Sequence, residues 1–200
     1  GYTESLVESS RDVLLIKTDP NGDSLWTKTF GGSDYNDYGQ SVQQTTDGGY
    51  VITGRTFSFG NGDDDVWLIK TDSLGNEEWN QTYDGSGYDG GYAIQQTEDG
   101  GYIISGLRGV ADDYTDNNVW LIKTDANGDS TWTRTFGGSD DDRGSSVQQT
   151  TDGGYIITGS TGCLDWDNCD VQLIKTDSEG NEVWNQTFGG SDVSDEDRGY

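Results

Sequence analysis

Asp65-Val66-Trp67-Leu68-Ile69-Lys70-Thr71-Asp72 decides the fold, because the chain writes it four times. Variants run from Asp12 to Asp19, from Asn118 to Asp125 and from Asp170 to Asp177. The Ile-Lys pairs fall at 16/17, 69/70, 122/123 and 174/175, giving spacings of 53, 53 and 52 residues. A period of this size marks a supersecondary unit repeated along the chain. A Trp follows each copy, at 26, 79, 132 and 184, and an Asp-Gly-Gly-Tyr turn recurs at 47–50, 99–102 and 152–155.

Each unit reads as four short strands. Tyr92 to Thr97 is the first, and Glu98-Asp99-Gly100-Gly101 supplies the positive-φ positions of a hairpin turn. Tyr102 to Gly106 is the second, and a variable loop through Asp112, Asp113 and Asp116 leads to the third, Val119 to Lys123. The turn Asp125-Ala126-Asn127-Gly128-Asp129 leads to the fourth, Ser130 to Phe136. The third strand is apolar on both alternating faces, with Val119 and Leu121 on one and Trp120 and Ile122 on the other. A strand with one wet face alternates, so both faces of this one require cover. Each large side chain so buried contributes roughly 1.5–3 kcal/mol. One sheet alone cannot offset its ordering cost, and stacking on neighbours is compulsory.

Composition agrees. Apolar residues are only 30% of the 200, which would indicate disorder were the seven Trp and eleven Tyr not placed periodically. Thirty-one Gly and one Pro suit short strands and tight turns. A formal charge of −26 argues against nucleic acid and anionic membrane surfaces, both of which would repel it. Apolar runs of about four residues exclude membrane insertion by helices. No signal peptide is evident, leaving either a cytosolic protein or a mature or excised segment. Such acidity serves solubility, high-salt adaptation, or divalent-cation binding.

Cys163 and Cys169 flank one inter-strand loop. They read either as free thiols or as a disulfide closing a short loop. The disulfide is favoured, since no metal-thiolate pattern surrounds them, and it implies an extracellular or cell-surface setting.

The order of strand, Asp-Gly turn, strand ending in Thr/Ser-Gly, Trp-containing apolar strand, turn, outer strand and Gly-Gly resembles WD-repeat β-propellers. In wording, Trp-Leu-Ile-Lys-Thr-Asp and the Asp-Gly-Gly-Tyr strands are closer to tandem propeller repeats of secreted and surface proteins of bacteria and archaea. The resemblance covers nearly everything beyond residue 12. It implies an all-β fold: a β-propeller-type array of about four four-stranded antiparallel blades. The repeated Trp-Asp dipeptide is missing (Trp166-Asp167, between the cysteines, is the single one), and the Gly-His pair and every His are absent, so the buried His network of WD repeats cannot form. The resemblance implies that Ser41 to Gln44, Ala93 to Gln96 and Ser146 to Gln149 are innermost strands lining a narrow axial channel with amides. It places the Trp26, Trp79, Trp132 and Trp184 strands outermost. Gly-Asp-Ser-x-Trp marks the first and third units and Gly-Asn-Glu-x-Trp the second and fourth, so the array is built as two blade pairs. We expect one domain over 1–200, with a partial blade at 1–30, blades near 38–83, 91–136 and 145–188, and a further unit starting at 189–200. Three inner strands against four outer ones leave three outcomes: an incomplete blade, a longer array, or a strand supplied by a neighbouring copy. Unpaired blade edges favour self-association.

The turn after each third strand is the leading candidate site: Asp19, Asn21 and Asp23; Asp72 and Asn76; Asp125, Asn127 and Asp129; Asp177 and Asn181. Oxygen side chains at positions 1, 3 and 5 with Gly at 4 resemble the start of a calcium loop, whose oxygens converge at about 2.3–2.6 Å. The Gly at 6 and Glu at 12 of an EF-hand are missing, and Leu74 interrupts one copy. The other reading is an Asx turn in which the Asp caps its own backbone. A second acidic set, Ser33 to Asp37, Asp84 to Asp89, Ser139 to Asp142 and Ser191 to Asp197, shares a rim with Asp63-Asp64-Asp65, Asp112-Asp113-Asp116 and Asp165-Asp167-Asp170. Roughly twenty carboxylates on one rim either bind cations or form a solvated surface.

Asn80-Gln81-Thr82 and Asn185-Gln186-Thr187 are formal glycosylation sequons on a strand. Tyr35, Tyr38, Tyr88, Tyr114 and Trp166 are able to stack on glycans or to pack loops. No nucleophile motif, phosphate loop or cofactor fingerprint is present. The expected function is a non-enzymatic extracellular structural or adhesive module, calcium-stabilised and self-associating into polymers or filaments. A lectin-like propeller is the alternative, and a glycoside hydrolase using two opposed carboxylates the third.

Overall fold

The computed structural model describes residues 1–4, 10–33, 35–61, 63–85, 87–110, 113–163 and 169–189, the side chains of Glu4 and of 113–115 excepted. The fold is all-β, and the described residues form fifteen strands and no helix. β1 (Tyr2–Glu4), β2 (Arg11–Thr18) and β3 (Ser24–Phe30) make a three-stranded sheet. β4 (Asp37–Gln44), β5 (Tyr50–Thr56), β6 (Asp65–Thr71) and β7 (Glu77–Tyr83) make the second sheet. β8 (Asp89–Gln96), β9 (Tyr102–Val110), β10 (Asp113–Thr124) and β11 (Ser130–Phe136) make the third. β12 (Asp141–Gln149), β13 (Tyr155–Cys163), β14 (Asp170–Thr176) and β15 (Glu182–Phe188) make the fourth. Every pairing is antiparallel between consecutive strands, so each sheet is a meander. Among the described residues the first sheet has three strands and each of the others has four.

Three apolar seams join the sheets in series. Val13, Leu15 and Phe30 of the first sheet meet Ile52, Trp67 and Ile69 of the second. Val66, Leu68 and Tyr83 meet Ile104, Trp120 and Ile122 of the third. Val119, Leu121 and Phe136 meet Val147, Ile157 and Ile174 of the fourth. In β6 all seven residues are buried, as expected of a strand covered on both faces. Trp26, Trp79 and Trp132 each tilt against the Tyr of the next unit's Asp-Gly-Gly-Tyr turn, with centroids 5.8, 5.9 and 5.7 Å from Tyr50, Tyr102 and Tyr155. Among the described residues the first and last sheets do not pack on each other, and the sheets do not close into a ring.

Three local expectations change. The inner strands begin three to five residues earlier than the apolar pattern suggests, at Asp37, Asp89 and Asp141. A register shift lies near Gly39, Gly91 and Gly144 in each. The cause is close backbone passage: a Cβ on Gly54, Gly106 or Gly159 of the neighbouring strand would lie 1.8 Å from a carbonyl oxygen of the inner strand. Second, the stretch from Asp113 to Asn118, expected as loop, belongs to β10, because β9 continues to Val110 and pairs with it. Third, the inner glutamines stitch neighbouring sheets. Gln43 Oε1 accepts from Gln96 N at 2.6 Å, and Gln95 Oε1 accepts from Gln149 N at 2.6 Å. These amides satisfy backbone donors that the ladder leaves open.

Candidate functional site

The four candidate turns are closed by their own aspartates. Asp19 Oδ1 accepts the backbone N–H groups of Asn21 and Asp23 at 2.8 and 3.0 Å, and Oδ2 accepts Asn21 Nδ2 at 3.3 Å. Asp72 does the same with Leu74, Asn76 and Asn76 Nδ2 at 2.8, 2.8 and 2.9 Å. Asp125 serves Asn127 and Asp129, and Asp177 serves Glu179 and Asn181. The N–H of Asp23 holds the Asp19 carboxyl below the usual range, and the Asn76 and Asn181 amides do so for Asp72 and Asp177. This is Asx-turn geometry. Any cation here must compete with three donors for one carboxylate.

A different set converges. One carboxylate oxygen each from Asp65, Asp84 and Asp89 lies within 4.8 Å of the others. Asp65 opens β6, Asp89 opens β8, and Asp84 follows β7, so the second and third sheets meet at this point. Asp65 and Asp89 are buried, and Asp84 is exposed. Asp89 accepts backbone N–H groups from Gly85 at 2.6 Å and Gly109 at 3.0 Å, and Asp65 accepts from Asn61 at 3.0 Å. Gly85 is required here, since a Cβ would fall 2.5 Å from both Asp89 oxygens. Burial first, and then the Asp84 charge, raises Asp65 to about 6. Burial also raises Asp89 to about 6, against its two backbone donors. Beside them Asp64 is fully buried and raised to about 7 by desolvation, although Arg55 lies 3.2 Å away. Such pairs of buried carboxylates are electrostatically incomplete at neutral pH.

Part of the arrangement recurs at the other seams. A Cβ on Gly31 would lie 2.2 Å from Asp12 Oδ1 and 2.9 Å from Asp37 Oδ2, which places these two carboxylates side by side. Burial, then Asp37, raises Asp12. At the third seam Asn118 stands in the position of Asp65 and faces Asp142, whose carboxyl burial raises. Of the rim residues anticipated from sequence, Asp34, Asp112, Asp165, Asp167 and 191–197 lie outside the described residues. The same holds for Trp166 and for the side chains of Asp113 and Tyr114.

A cavity of about 430 Å³ opens where three sheets converge, lined by Gln40, Arg55, Tyr88, Tyr92 and Arg143 among others. The Arg55 guanidinium stacks between Tyr38 and Tyr88, 4.5 and 5.0 Å from their centroids, and Arg143 is paired with Asp141. Tyr88 was read from sequence as a ring able to stack on glycans or to pack loops, whereas Arg55, Tyr92 and Arg143 were not singled out. Tyr35 stands exposed at the surface. Among the sequons, Asn80 Oδ1 accepts from Trp67 Nε1 at 3.1 Å and its Nδ2 donates to Glu77 at 2.7 Å.

The cysteines form a disulfide, Cys163–Cys169, with Cα atoms 4.3 Å apart at the mouth of the β13–β14 connection. No helix of the described residues is long and apolar enough to cross a membrane. Comparison with protein-family models and with curated proteins returns no match, so the residues themselves carry any reading of function.

Proposed function

We propose that this chain is a non-enzymatic structural or adhesive module of the cell exterior, a segment of a propeller-type array stabilised by calcium at its seams. One observation carries the reading: what repeats from unit to unit is what builds the seams. The Val/Leu and Trp/Ile faces, the Trp–Tyr contacts and the Asp-Gly-Gly-Tyr turns are all used in sheet-to-sheet packing. The disulfide supports an oxidising location. The acidic seam supports calcium, because hard oxygen ligands converge there and two of the three carboxylates are desolvated. The self-capped turns at Asp19, Asp72, Asp125 and Asp177 are the weaker place for the ion, since backbone donors already occupy those oxygens.

The test is a thermal melt of the chain in calcium and in chelator. A cation bound only by the folded state raises the midpoint. Equal midpoints across millimolar calcium would remove the metal from the proposal.

A lectin-like reading is favoured by the cavity alone. Two tyrosine rings, two guanidiniums and an amide around about 430 Å³ suit a sugar ring, with aromatic faces for stacking and forked donors for hydroxyls. Silence on a glycan array, with unchanged Tyr88→Ala and Tyr92→Ala profiles, would discard it.

A further inference from the structure

The cavity of about 430 Å³ carries the opposite charge to the chain that builds it. Acidic residues outnumber basic ones 37 to 11, yet among the described residues no Asp or Glu lines this cavity, and its charged walls are Arg55 and Arg143. Both guanidiniums are presented, while the carboxylates that oppose them sit underneath. Side-chain exposure is 23% for Arg55 against 0% for Asp64, and 21% for Arg143 against 11% for Asp141. A general acidic surface would place the carboxylates outermost. The lining comes from the second, third and fourth sheets, so it depends on neither outer face of the stack.

The two arginines are held in different ways. The Arg55 guanidinium lies between the rings of Tyr38 and Tyr88, which fixes its plane. Asp64 is 3.2 Å away, but among the described residues neither Asp64 oxygen has a hydrogen-bond partner, and Arg55 Nε has none. Asp64 therefore offsets the charge without engaging the fork. Burial raises Asp64 to about 7, so at neutral pH even that offset is partial. Arg143 is committed to Asp141, which Asn117 Nδ2 also holds at 2.8 Å, and it contributes a second fixed positive charge. Both guanidiniums act on the Tyr92 hydroxyl: burial raises it, and Arg143 and Arg55 pull it back. Two cations and a phenol thus surround one space.

We infer that this cavity takes an acidic sugar unit, a pyranose ring bearing one carboxylate or sulfate, with Arg55 as the fork for the anionic group and Tyr88, Tyr92 and Leu107 against the ring. A planar guanidinium engages two oxygens of such a group at once, which an ammonium does not. The volume falls in the range of ligand sites, and Gln40 at the wall supplies an amide for hydroxyls. The inference rests on the lectin-like reading and names its ligand class; for an adhesive module it makes an acidic polysaccharide the target. The net charge of −26 works against any anion at long range. A preference for an acidic sugar over its neutral parent therefore has to come from a local positive site.

The experiment is a calorimetric titration of the 200-residue chain with a β-linked glucose tetramer, its glucuronate counterpart and its 6-sulfated counterpart. Chelator is present, so that no calcium bridges an acidic sugar to acidic side chains. Salt is held at about 0.15 M, where the Debye length is about 8 Å and long-range repulsion is screened. At least one acidic tetramer is expected to bind tenfold or more tighter than the neutral one, and which of them does so identifies the anionic group. Arg55→Gln is expected to bring that probe down to the neutral level, and Arg55→Lys to restore part of the difference. Gln40→Glu, on an exposed side chain, is expected to make the acidic form the weaker binder, and it keeps the test valid if Arg55→Gln fails to fold around Asp64. Equal affinities for neutral and acidic tetramers would overturn the inference and leave the lectin-like reading standing. Silence toward both acidic tetramers would also overturn it, and the neutral sugars of the glycan array then decide the lectin-like reading by themselves. An acidic preference that survives both Arg55→Gln and Gln40→Glu would place the anion elsewhere on the molecule and equally overturn it.

Discussion

Lys70 Nζ lies 2.8 Å from Asp47 Oδ2, and the same bridge recurs as Lys123–Asp99 at 2.8 Å and Lys175–Asp152 at 3.0 Å. It explains the Asp-Gly-Gly-Tyr turn residue by residue. The Asp takes the Lys ammonium, which threads from the third strand under the hairpin. The first Gly adopts positive φ, as at Gly48 (+88°). The second leaves room for the ammonium, since a Cβ on Gly49 would sit 2.8 Å from Lys70 Nζ. The Tyr then meets the Trp of the preceding sheet.

Breaking this bridge from its exposed end leaves a buried ammonium behind. In Asp99→Ala, Lys123 keeps one protein partner of those seen here, the Thr124 carbonyl. In Asp47→Ala, Lys70 retains Glu78 at 2.8 Å. Losing a partner of a fully buried ion pair costs about 3–5 kcal/mol, and solvent at the Asp side brings that down to about 1–3 kcal/mol. Asp99→Ala is therefore expected to destabilise more than Asp47→Ala in urea titrations. The reverse order would mean that the bridge contributes little.

Stability should rise as pH falls from neutral toward 5 in metal-free buffer. Desolvation lifts Asp64 to about 7, and Asp65 and Asp89 to about 6, above the ordinary carboxylate value of 3.8. The folded state therefore binds protons before the unfolded chain does, and acidification favours it until the unfolded carboxylates also titrate near pH 4. Below that the sign reverses. Asp99, where burial is outweighed by Lys123, the Thr97 hydroxyl and the Gly101 N–H acting together, is held at about 2, and Asp47 and Asp152 are also lowered. Their contribution, complete above pH 4, disappears as pH drops through their folded values. A midpoint maximum between pH 4 and 5 is expected by calorimetry, and Asp64→Asn should flatten its neutral limb. A midpoint falling steadily from pH 7.5 to 5 would contradict the assignment.

Calcium dependence separates the two acidic sets. Asp84→Asn removes the exposed member of the convergent group and should abolish most of any calcium-induced rise in the melting midpoint. Asp72→Asn weakens a self-capped turn and should lower the midpoint by a similar amount with and without the ion. A calcium response lost in Asp72→Asn and kept in Asp84→Asn would return the ion to the turns.

Glycines at the strand crossings should be far less replaceable than those in open turns. A Cβ on Gly106 would meet the Gly90 carbonyl oxygen at 1.8 Å, and its other nearest atoms are also backbone, of Gly90 and Gly91, which cannot yield as a side chain can. Gly106→Ala is expected to cost about 3 kcal/mol or more. Gly22 has positive φ (+91°) but open space, so Gly22→Ala should cost only about 1–2 kcal/mol, the ordinary left-handed penalty. Denaturant midpoints of the two variants test the ranking.

The strands and their compulsory stacking were legible because Val66-Trp67-Leu68-Ile69 is apolar on both faces, and no single exposed sheet accommodates that. The seam carboxylates were not. Asp65 and Asp89 are 24 residues apart and meet only through the way one sheet lies on the next, which periodicity does not encode. The β9–β10 extension was hidden for another reason. Asp113 to Asn118 is polar, and backbone pairing rather than side-chain burial makes it strand. The aspartates of the turns were read either as ligands to a cation or as Asx caps, and in the structure they accept the N–H groups of their own turns. The cavity arginines come from different sheets, so their convergence had no local signature. The Lys–Asp bridge did leave one, a recurrent separation of 23 or 24 residues between turn Asp and strand Lys.

Gln172 occupies the place of Trp67 and Trp120 in the last sheet and is buried there. In the second sheet the equivalent indole N–H is satisfied by Asn80 at 3.1 Å, across the β6–β7 ladder. Asn185 is the counterpart of Asn80, and both Asn185 Oδ1 and Gln172 Oε1 are buried without a hydrogen-bond partner. A buried polar atom left unmade costs about 1–3 kcal/mol. Gln172→Trp removes one such acceptor, offers Asn185 the donor its counterpart has, and adds apolar area to the third seam. Repeat-consensus changes of this kind yield about 0.5–2 kcal/mol, and a gain in that range is expected by urea titration. The double variant Gln172→Trp, Asn185→Ala should lose part of it. If Gln172→Trp destabilises, the third seam is closed around the smaller side chain, and the units are not interchangeable at this position.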